Sequence, residues 1–415
     1  MVDRARVNHS AFVLANLMQH RRVAFGLGLA VLLTACGSTK HVSIQPTTRV
    51  SFNDAQTTTV ARGTARGDIG PSPLQRLTVA QLAGQRVIYS YSGLQPPRDL
   101  FERIRQGEAA GVIFFAPNIA SVGQLRRVVR ELQAAGESSP VKAPLLMMTD
   151  QEGGQVRRLP GSPNASEKQI GASPDGAQLA AVAGSGAAET LRAAGLNTNL
   201  APVLDVYREA GNFIDRYERS YGSSPDLVST LGSAFIVAQQ ARGVAATAKH
   251  FPGLGAATSD QDTDESTVTI TLPLAQLRAV DERPYKAAIK AHVRLIMLSW
   301  GTYRALDPNL PAGLSSTVIQ GELRGRLGFR GVTITDSIGA GALAPFGPIS
   351  ERAALAATAG DDLILGSGRT VNEDSPTIGV SAVRGIAAAI TAREVPRSAA
   401  ELAASEVIVL REALR

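Results

Sequence analysis

The chain has 415 residues, 44% of them hydrophobic and 19% charged, with a formal net charge of +6. That is long enough for one α/β barrel of roughly 250 residues with tails to spare. Aromatic residues make up only 5% of the chain and no long Lys/Arg run occurs, so base-stacking platforms and a nucleic-acid partner are not implied.

The N-terminal stretch reads as an export signal. Arg4, Arg6, Arg21 and Arg22 precede an apolar run over 23–33, which is followed by Leu33-Thr34-Ala35-Cys36. A basic region, a short apolar region and small residues at a cleavage point define a signal peptide. The run is shorter than the roughly 20 residues that a membrane-spanning helix needs. Leu-Thr-Ala-Cys resembles the bacterial lipobox, in which the Cys is lipidated. Cys36 is the sole cysteine, so it has no intramolecular partner for a disulfide. The expectation is a lipoprotein signal peptide over 1–35, a flexible tether rich in Ser, Thr, Gln and Gly over 36–72, and a globular domain over 73–415. The protein would be lipid-anchored on the extracytoplasmic side of the membrane.

Within 73–415 a short helix is expected over 77–85. Eight short apolar runs follow, at 87–90, 111–115, 144–148, 196–200, 243–247, 295–298, 331–334 and 362–365. Helical patterns separate them, including 122–135, 177–194, 227–242, 274–292 and 315–327. Such alternation predicts a parallel sheet, and eight units suit a closed (β/α)8 TIM-type barrel. An open doubly wound sheet is the alternative. No Gly-x-Gly-x-x-Gly follows the first run, so a dinucleotide fold has no support. The Ala-rich tail from about 381 reads as terminal helices interrupted at Pro396.

In a barrel of this kind chemistry gathers at the C-terminal ends of the strands. Those ends carry Asp150 to Arg158, Asp205, Arg219, Lys249-His250, Trp300 and Asp336. Asp150, Arg158, Arg219, Lys249 and His250 can together donate to and accept from many hydroxyls, which suits a neutral polyol substrate. Asp336, fixed at a strand end, is the nucleophile candidate. Only His250 and His292 follow the tether, without a further Cys, so neither a metal site nor an organic cofactor is implied.

These segments resemble glycoside hydrolase family 3, in particular its single-domain β-N-acetylglucosaminidase (β-hexosaminidase) branch. Thr149 to Arg158 is similar to the family's Asp-Gln-Glu-Gly-Gly block. Ala201 to Val206, Arg219 to Gly222, Lys249 to Gly255 and Thr335 to Ser337 follow in the family's order. The resemblance implies a retaining mechanism with Asp336 as nucleophile, and a terminal sugar bound by Asp150, Arg158, Arg219, Lys249 and His250. The implied substrate is a glycan with a non-reducing terminal N-acetyl-β-D-glucosamine, as in peptidoglycan fragments, and the enzyme is expected to act as a monomer.

One block departs from the pattern. The branch carries an Asp-Ser-His element after strand five whose His is the acid/base. Here it falls on Asp260-Gln261-Asp262, so that Asp262 replaces the His. Asp262 is then the acid/base candidate, provided that Asp260, Asp264 or burial raises a pKa ordinarily near 3.9. The alternatives are a phosphorylase, which transfers the sugar to an anion, or a lipoprotein that binds sugar without turning it over.

Overall fold

A computed structural model describes residues 73–415; the signal, the tether and Cys36 lie outside the described residues. Eight parallel strands close into a barrel. They are β1 (Val87–Tyr89), β2 (Gly111–Ile113), β3 (Leu146–Thr149), β4 (Thr198–Asn199), β5 (Ala245–Phe251), β6 (Leu295–Leu298), β7 (Val332–Ser337) and β8 (Leu363–Gly366). Each pairs with its neighbours in the sequence, and β1 closes on β8 through Val87 opposite Ile364. The closed ring excludes the open doubly wound sheet.

The strands read as continuous apolar runs because both faces are covered. Ile88, Ile113, Leu146, Met148, Leu295, Ile334 and Leu363 share one buried cluster with Val407 and Leu410 of the last helix. That helix, Arg397–Glu412, lies against the N-terminal end of the barrel. Its buried Arg411 donates to the carbonyls of Ala143 and Pro144 and to the side chain of Gln85, just before β3 and β1. Burial depresses the Arg411 guanidinium to about 9. With this end plugged, the C-terminal end is the one left open for a site.

Helix starts follow local chemistry. Thr78 and Gln81 form a reciprocal capping box for Val79–Gly84, and Ser121 and Ser224 cap Val122–Glu137 and Pro225–Gln240. The helix expected over 274–292 is instead broken into Leu274–Gln276, a wider i→i+5 turn over Leu277–Asp281, and Arg283–Lys290. Pro284 has no N–H to donate and begins the second helix near its N-terminus. Thr317–Arg326 is likewise wound with i→i+5 bonds.

Two strands run further than the hydrophobic pattern indicates. β5 continues past Thr247 to Phe251 and β7 past Ile334 to Ser337. Lys249, His250 and Asp336 are therefore strand residues rather than loop residues. Charged residues are rarely buried unless paired. Here the partners come from neighbouring strand ends, which a reading of one segment at a time does not reveal.

Candidate active site

A cavity of about 520 Å³ opens at the C-terminal end of the barrel. Asp150, Arg158, Arg219, Lys249, His250, Asp262 and Asp336 all line it, although they are spread over 187 positions of sequence, from 150 to 336. The structure thus brings together the sequence-selected site residues that lie among the described residues; Cys36 lies outside them.

One wall is a buried ion network. The Lys249 ammonium lies 2.9 Å from Asp150 Oδ1 and 2.8 Å from Glu152 Oε1. Arg219 grips Glu152 with two donors, each at 2.9 Å, and Arg158 stands 3.6 Å from Asp150. Burial alone would raise the Asp150 carboxyl, but Lys249, Arg158 and Arg219 outweigh it and hold it at about 2. Glu152 is lowered in the same way by Arg219 and Lys249 against burial. Desolvation of Lys249 is overcome by Asp150 and Glu152, which raise it above its ordinary value. The network sets three basic side chains, Arg158, Arg219 and Lys249, against the two carboxyl groups of Asp150 and Glu152. Such a wall can donate to several hydroxyls while its carboxylates accept from others.

Local folding places each member. Asp150 leaves β3 directly, and Gln151–Gly153 turns back on Val156–Arg157 as a small hairpin. Buried Gln151 fastens the return. Its oxygen accepts from the N–H groups of Arg158 and Leu159, and its amide donates to the carbonyls of Leu159 and Ser162. Arg219 follows the turn over Asp215–Tyr217, where the Ser220 hydroxyl donates to the Asp205 carbonyl at 2.6 Å.

Asp205 is the hidden support of the motif on β5. Its fully buried carboxylate accepts the backbone N–H groups of His250, at 3.3 Å, and Leu254, at 2.6 Å. Its second oxygen lies 2.7 Å from His250 Nδ1. With that ring nitrogen held by a carboxylate, Nε2 is aimed towards Asp336 Oδ2, 3.9 Å away. The glycines of the motif have backbone reasons. Gly253 has φ +134°, and a Cβ on Gly255 would lie 2.1 Å from the Val206 carbonyl oxygen.

Asp336 is held at the end of β7. Its Oδ1 accepts the Ser337 N–H at 2.7 Å, while the Ser337 hydroxyl donates to the carbonyls of Ser367 and Gly368. The buried Trp300 indole donates to the Ser337 carbonyl at 2.8 Å. Oδ2 of Asp336 faces the cavity side on which His250 stands, so one carboxylate oxygen is anchored and the other available.

The loop after β5 differs from the sequence expectation in its details. Asp262 lines the cavity, but its Oδ2 is paired with Arg216 at 2.7 Å and its Oδ1 accepts the Asp264 N–H at 2.9 Å. Both oxygens are thus occupied as acceptors. Asp264, two residues on, also lines the cavity. Glu152 and Asp205 went unselected in the sequence because their role is to hold other side chains; each stands inside a motif block, which was the only available signal. Among the described residues no cluster of His, Cys, Asp and Glu is arranged to hold a metal ion.

Comparison with known proteins agrees with this geometry. Residues 75–410 match the model of the glycosyl hydrolase family 3 N-terminal domain. A secreted glycosyl hydrolase of Arthroderma benhamiae, itself uncharacterised, is 47% identical over 304 residues, covering 73% of this chain and 86% of its own. A β-hexosaminidase of Thioalkalivibrio sulfidiphilus is 34% identical, covering 62% of this chain and 73% of its own. A solved family 3 β-N-acetylglucosaminidase from Paenibacillus superposes with a TM-score of 0.75 and 34% identity. That match covers 81% of this chain but only 63% of the Paenibacillus chain. The protein belongs to glycosyl hydrolase family 3 and is a glycosidase.

Proposed function

We propose that the protein is a retaining exo-glycosidase that releases terminal N-acetyl-β-D-glucosamine from glycans, with Asp336 as nucleophile. The observation that carries this reading is the position of Asp336. Its carboxylate is rigidly mounted at a strand end in a cavity whose opposite chemistry, the Asp150–Lys249–Glu152–Arg219 network, suits a hydroxyl-rich ring. The β-hexosaminidase and β-N-acetylglucosaminidase relatives support the choice of sugar. Asp150, Arg158, Arg219, Lys249 and His250 bind the terminal residue.

In the first step an Asp336 oxygen attacks the anomeric carbon. The glycosidic C–O bond breaks with its electron pair passing to the leaving oxygen, which takes a proton from an acid. In the second step water attacks the anomeric carbon and gives its proton to the same group, now a base. The ester bond to Asp336 breaks and the carboxylate is restored. Two displacements at one carbon preserve the anomeric configuration.

The cell-wall setting follows from the N-terminal signal pattern. Export is supported by the secreted relative. Anchoring through lipidated Cys36, and peptidoglycan fragments as the supply of substrate, complete the proposal. Labelling with a palmitate analogue tests the anchor: Cys36→Ser should abolish incorporation, and label retained in that variant would overturn it.

The activity is tested with the full-length protein, an activated aryl N-acetyl-β-glucosaminide and chitobiose, with and without phosphate. Wild type should release aglycone from both, with a β-configured first product by NMR. Asp336→Asn should abolish both. A sugar phosphate as the main product would replace hydrolysis by phosphorolysis. Sugar binding without turnover of either substrate would identify a binding protein.

A further inference from the structure

The reaction needs a proton donor to the leaving oxygen, and the position at which the family resemblance places that donor is otherwise engaged. Asp262 spends one oxygen on Arg216 and the other on a backbone N–H. Arg216 is itself held, donating to the Ser259 carbonyl at 3.0 Å and stacking on the rings of Phe213 and Tyr217. Asp262 is therefore part of a clamp on the loop. His250 does not fill the role either. Its Nδ1 belongs to Asp205, and its Nε2 lies 3.9 Å from the nucleophile. A retaining pair has to straddle the glycosidic bond at about 5–5.5 Å.

Asp264 is not committed in this way. It lines the cavity together with Asp336. Its carboxyl makes no hydrogen bond or ion pair with another described side chain, so both oxygens are available. Its backbone is fixed on two sides. Its N–H donates to Asp262, and its carbonyl accepts the Gly341 N–H at 2.8 Å, while the Thr263 carbonyl accepts from Ala342 at 3.1 Å. Gly341 and Ala342 lie in the segment that follows Ser337, the last residue of β7. A Cβ on Gly341 would lie 2.3 Å from the Glu265 carbonyl oxygen, so the contact requires glycine there. The loop carrying Asp264 is thus docked onto the segment that leaves Asp336.

We propose that Asp264, rather than Asp262, is the general acid/base of this glycosidase. The assignment rests on the hydrolase reading above. In glycosylation the Asp264 carboxyl gives its proton to the leaving oxygen as the glycosidic bond breaks; in deglycosylation its carboxylate takes a proton from the attacking water. The electrostatic surroundings agree. Desolvation within the cavity wall, then the carboxylates of Asp336 on β7 and Asp262 on the same loop, push Asp264 up to about 7. Arg219 beyond β4 and His250 on β5 oppose them. The residue is open to water at the cavity mouth, which moderates the shift in the empty enzyme. A bound sugar displaces that water and favours the protonated acid. A raised pKa leaves the proton in place below it, so activity should fall as pH rises through that raised value.

The test compares full-length wild type, Asp264→Asn and Asp262→Asn on chitobiose and on a dinitrophenyl N-acetyl-β-glucosaminide, with Asp336→Asn as the nucleophile control. Asp264→Asn should lower kcat/KM on chitobiose by about 10²-fold or more. It should largely spare glycosylation by the dinitrophenyl substrate, whose leaving group needs no proton. Azide, which attacks without base assistance, should accelerate this variant and yield the β-glycosyl azide. The alkaline limb of the pH profile should vanish in Asp264→Asn and persist in Asp262→Asn. If Asp262→Asn instead shows azide rescue and loses the limb, the assignment is overturned. Unimpaired chitobiose turnover by Asp264→Asn overturns it as well. Wild-type turnover that is lost in Asp336→Asn preserves the hydrolase reading whatever Asp264→Asn does, whereas an inactive wild type removes both.

Discussion

Replacing Glu152 by Gln keeps the size of a side chain that does not line the cavity but removes one of the two carboxylates in the buried network. Lys249 then keeps Asp150 as its ion-pair partner while Arg219 loses the carboxylate that it grips, and the new amide has one oxygen where the carboxylate accepted from both cations. Glu152 and Lys249 are each only 2% exposed, so water cannot replace the lost partner. Breaking a buried pair by removing one member costs about 3–5 kcal/mol, because the remaining charge is left uncompensated. With an unfolding entropy of about 2.1 cal/mol/K per residue, a domain of about 340 residues has about 0.7 kcal/mol/K, so Tm should fall by about 4–7 °C. Arg219 and Lys249 also lose their fixed positions, and a weakened charged hydrogen bond to the sugar should raise KM by about tenfold or more. Calorimetry on the full-length protein and steady-state kinetics on the aryl substrate read the two effects separately. A Tm within about 1 °C of wild type, together with unchanged KM, would refute the view that Glu152 holds the site's cations.

Other expectations follow from the same contacts. Asp205→Asn removes a carboxylate that orients His250 and caps two backbone N–H groups; kcat/KM should drop by about tenfold or more, with the protein still folded by circular dichroism. Trp300→Phe deletes the indole bond to the Ser337 carbonyl beside Asp336, and should cost about 1 kcal/mol in denaturant unfolding. Stability should also depend on pH in two directions. Burial raises Asp374 to about 6 and pushes Glu167 well above its ordinary value. Their folded forms keep protons that the unfolded chain releases near pH 4, so this contribution is complete below that point and is lost as pH rises through the folded values. Asp150 and Glu152 are lowered and act oppositely, stabilising above their unfolded values and losing that contribution as pH falls. Melting scans from pH 3 to pH 8 should therefore peak on the acid side of neutrality; a peak above about pH 7 would contradict these assignments.

The barrel was legible because its strands are buried on both faces and its helices on one, which imprints two different periods on the sequence. Helix starts at Thr78, Ser121 and Ser224 were equally local, since a cap depends on a hydroxyl and the next three backbone N–H groups. The i→i+5 winding of Leu277–Asp281 and Thr317–Arg326 was not legible, because the apolar pattern of so short a segment does not distinguish the wider turn from an ordinary helix. Nor were the true ends of β5 and β7, where polar side chains continue a strand whose partners come from elsewhere.

The sequence by itself determined the eightfold alternation and which polar residues stand at or just beyond strand ends, among them Asp150, Arg158, Arg219, Lys249, His250 and Asp336. These depend on residue type and order along the chain. Only the tertiary structure decided which carboxylates are committed and which are free. Asp262 and Asp264 are two residues apart and chemically identical; an arginine 46 positions before Asp262 engages it, while Asp264 faces the cavity unpaired. Likewise Glu152 and Asp205 became supports because folding brought Arg219, Lys249 and His250 within hydrogen-bond reach. Proton affinity and side-chain orientation are set by neighbours in space, and a linear sequence does not specify those neighbours until the barrel closes.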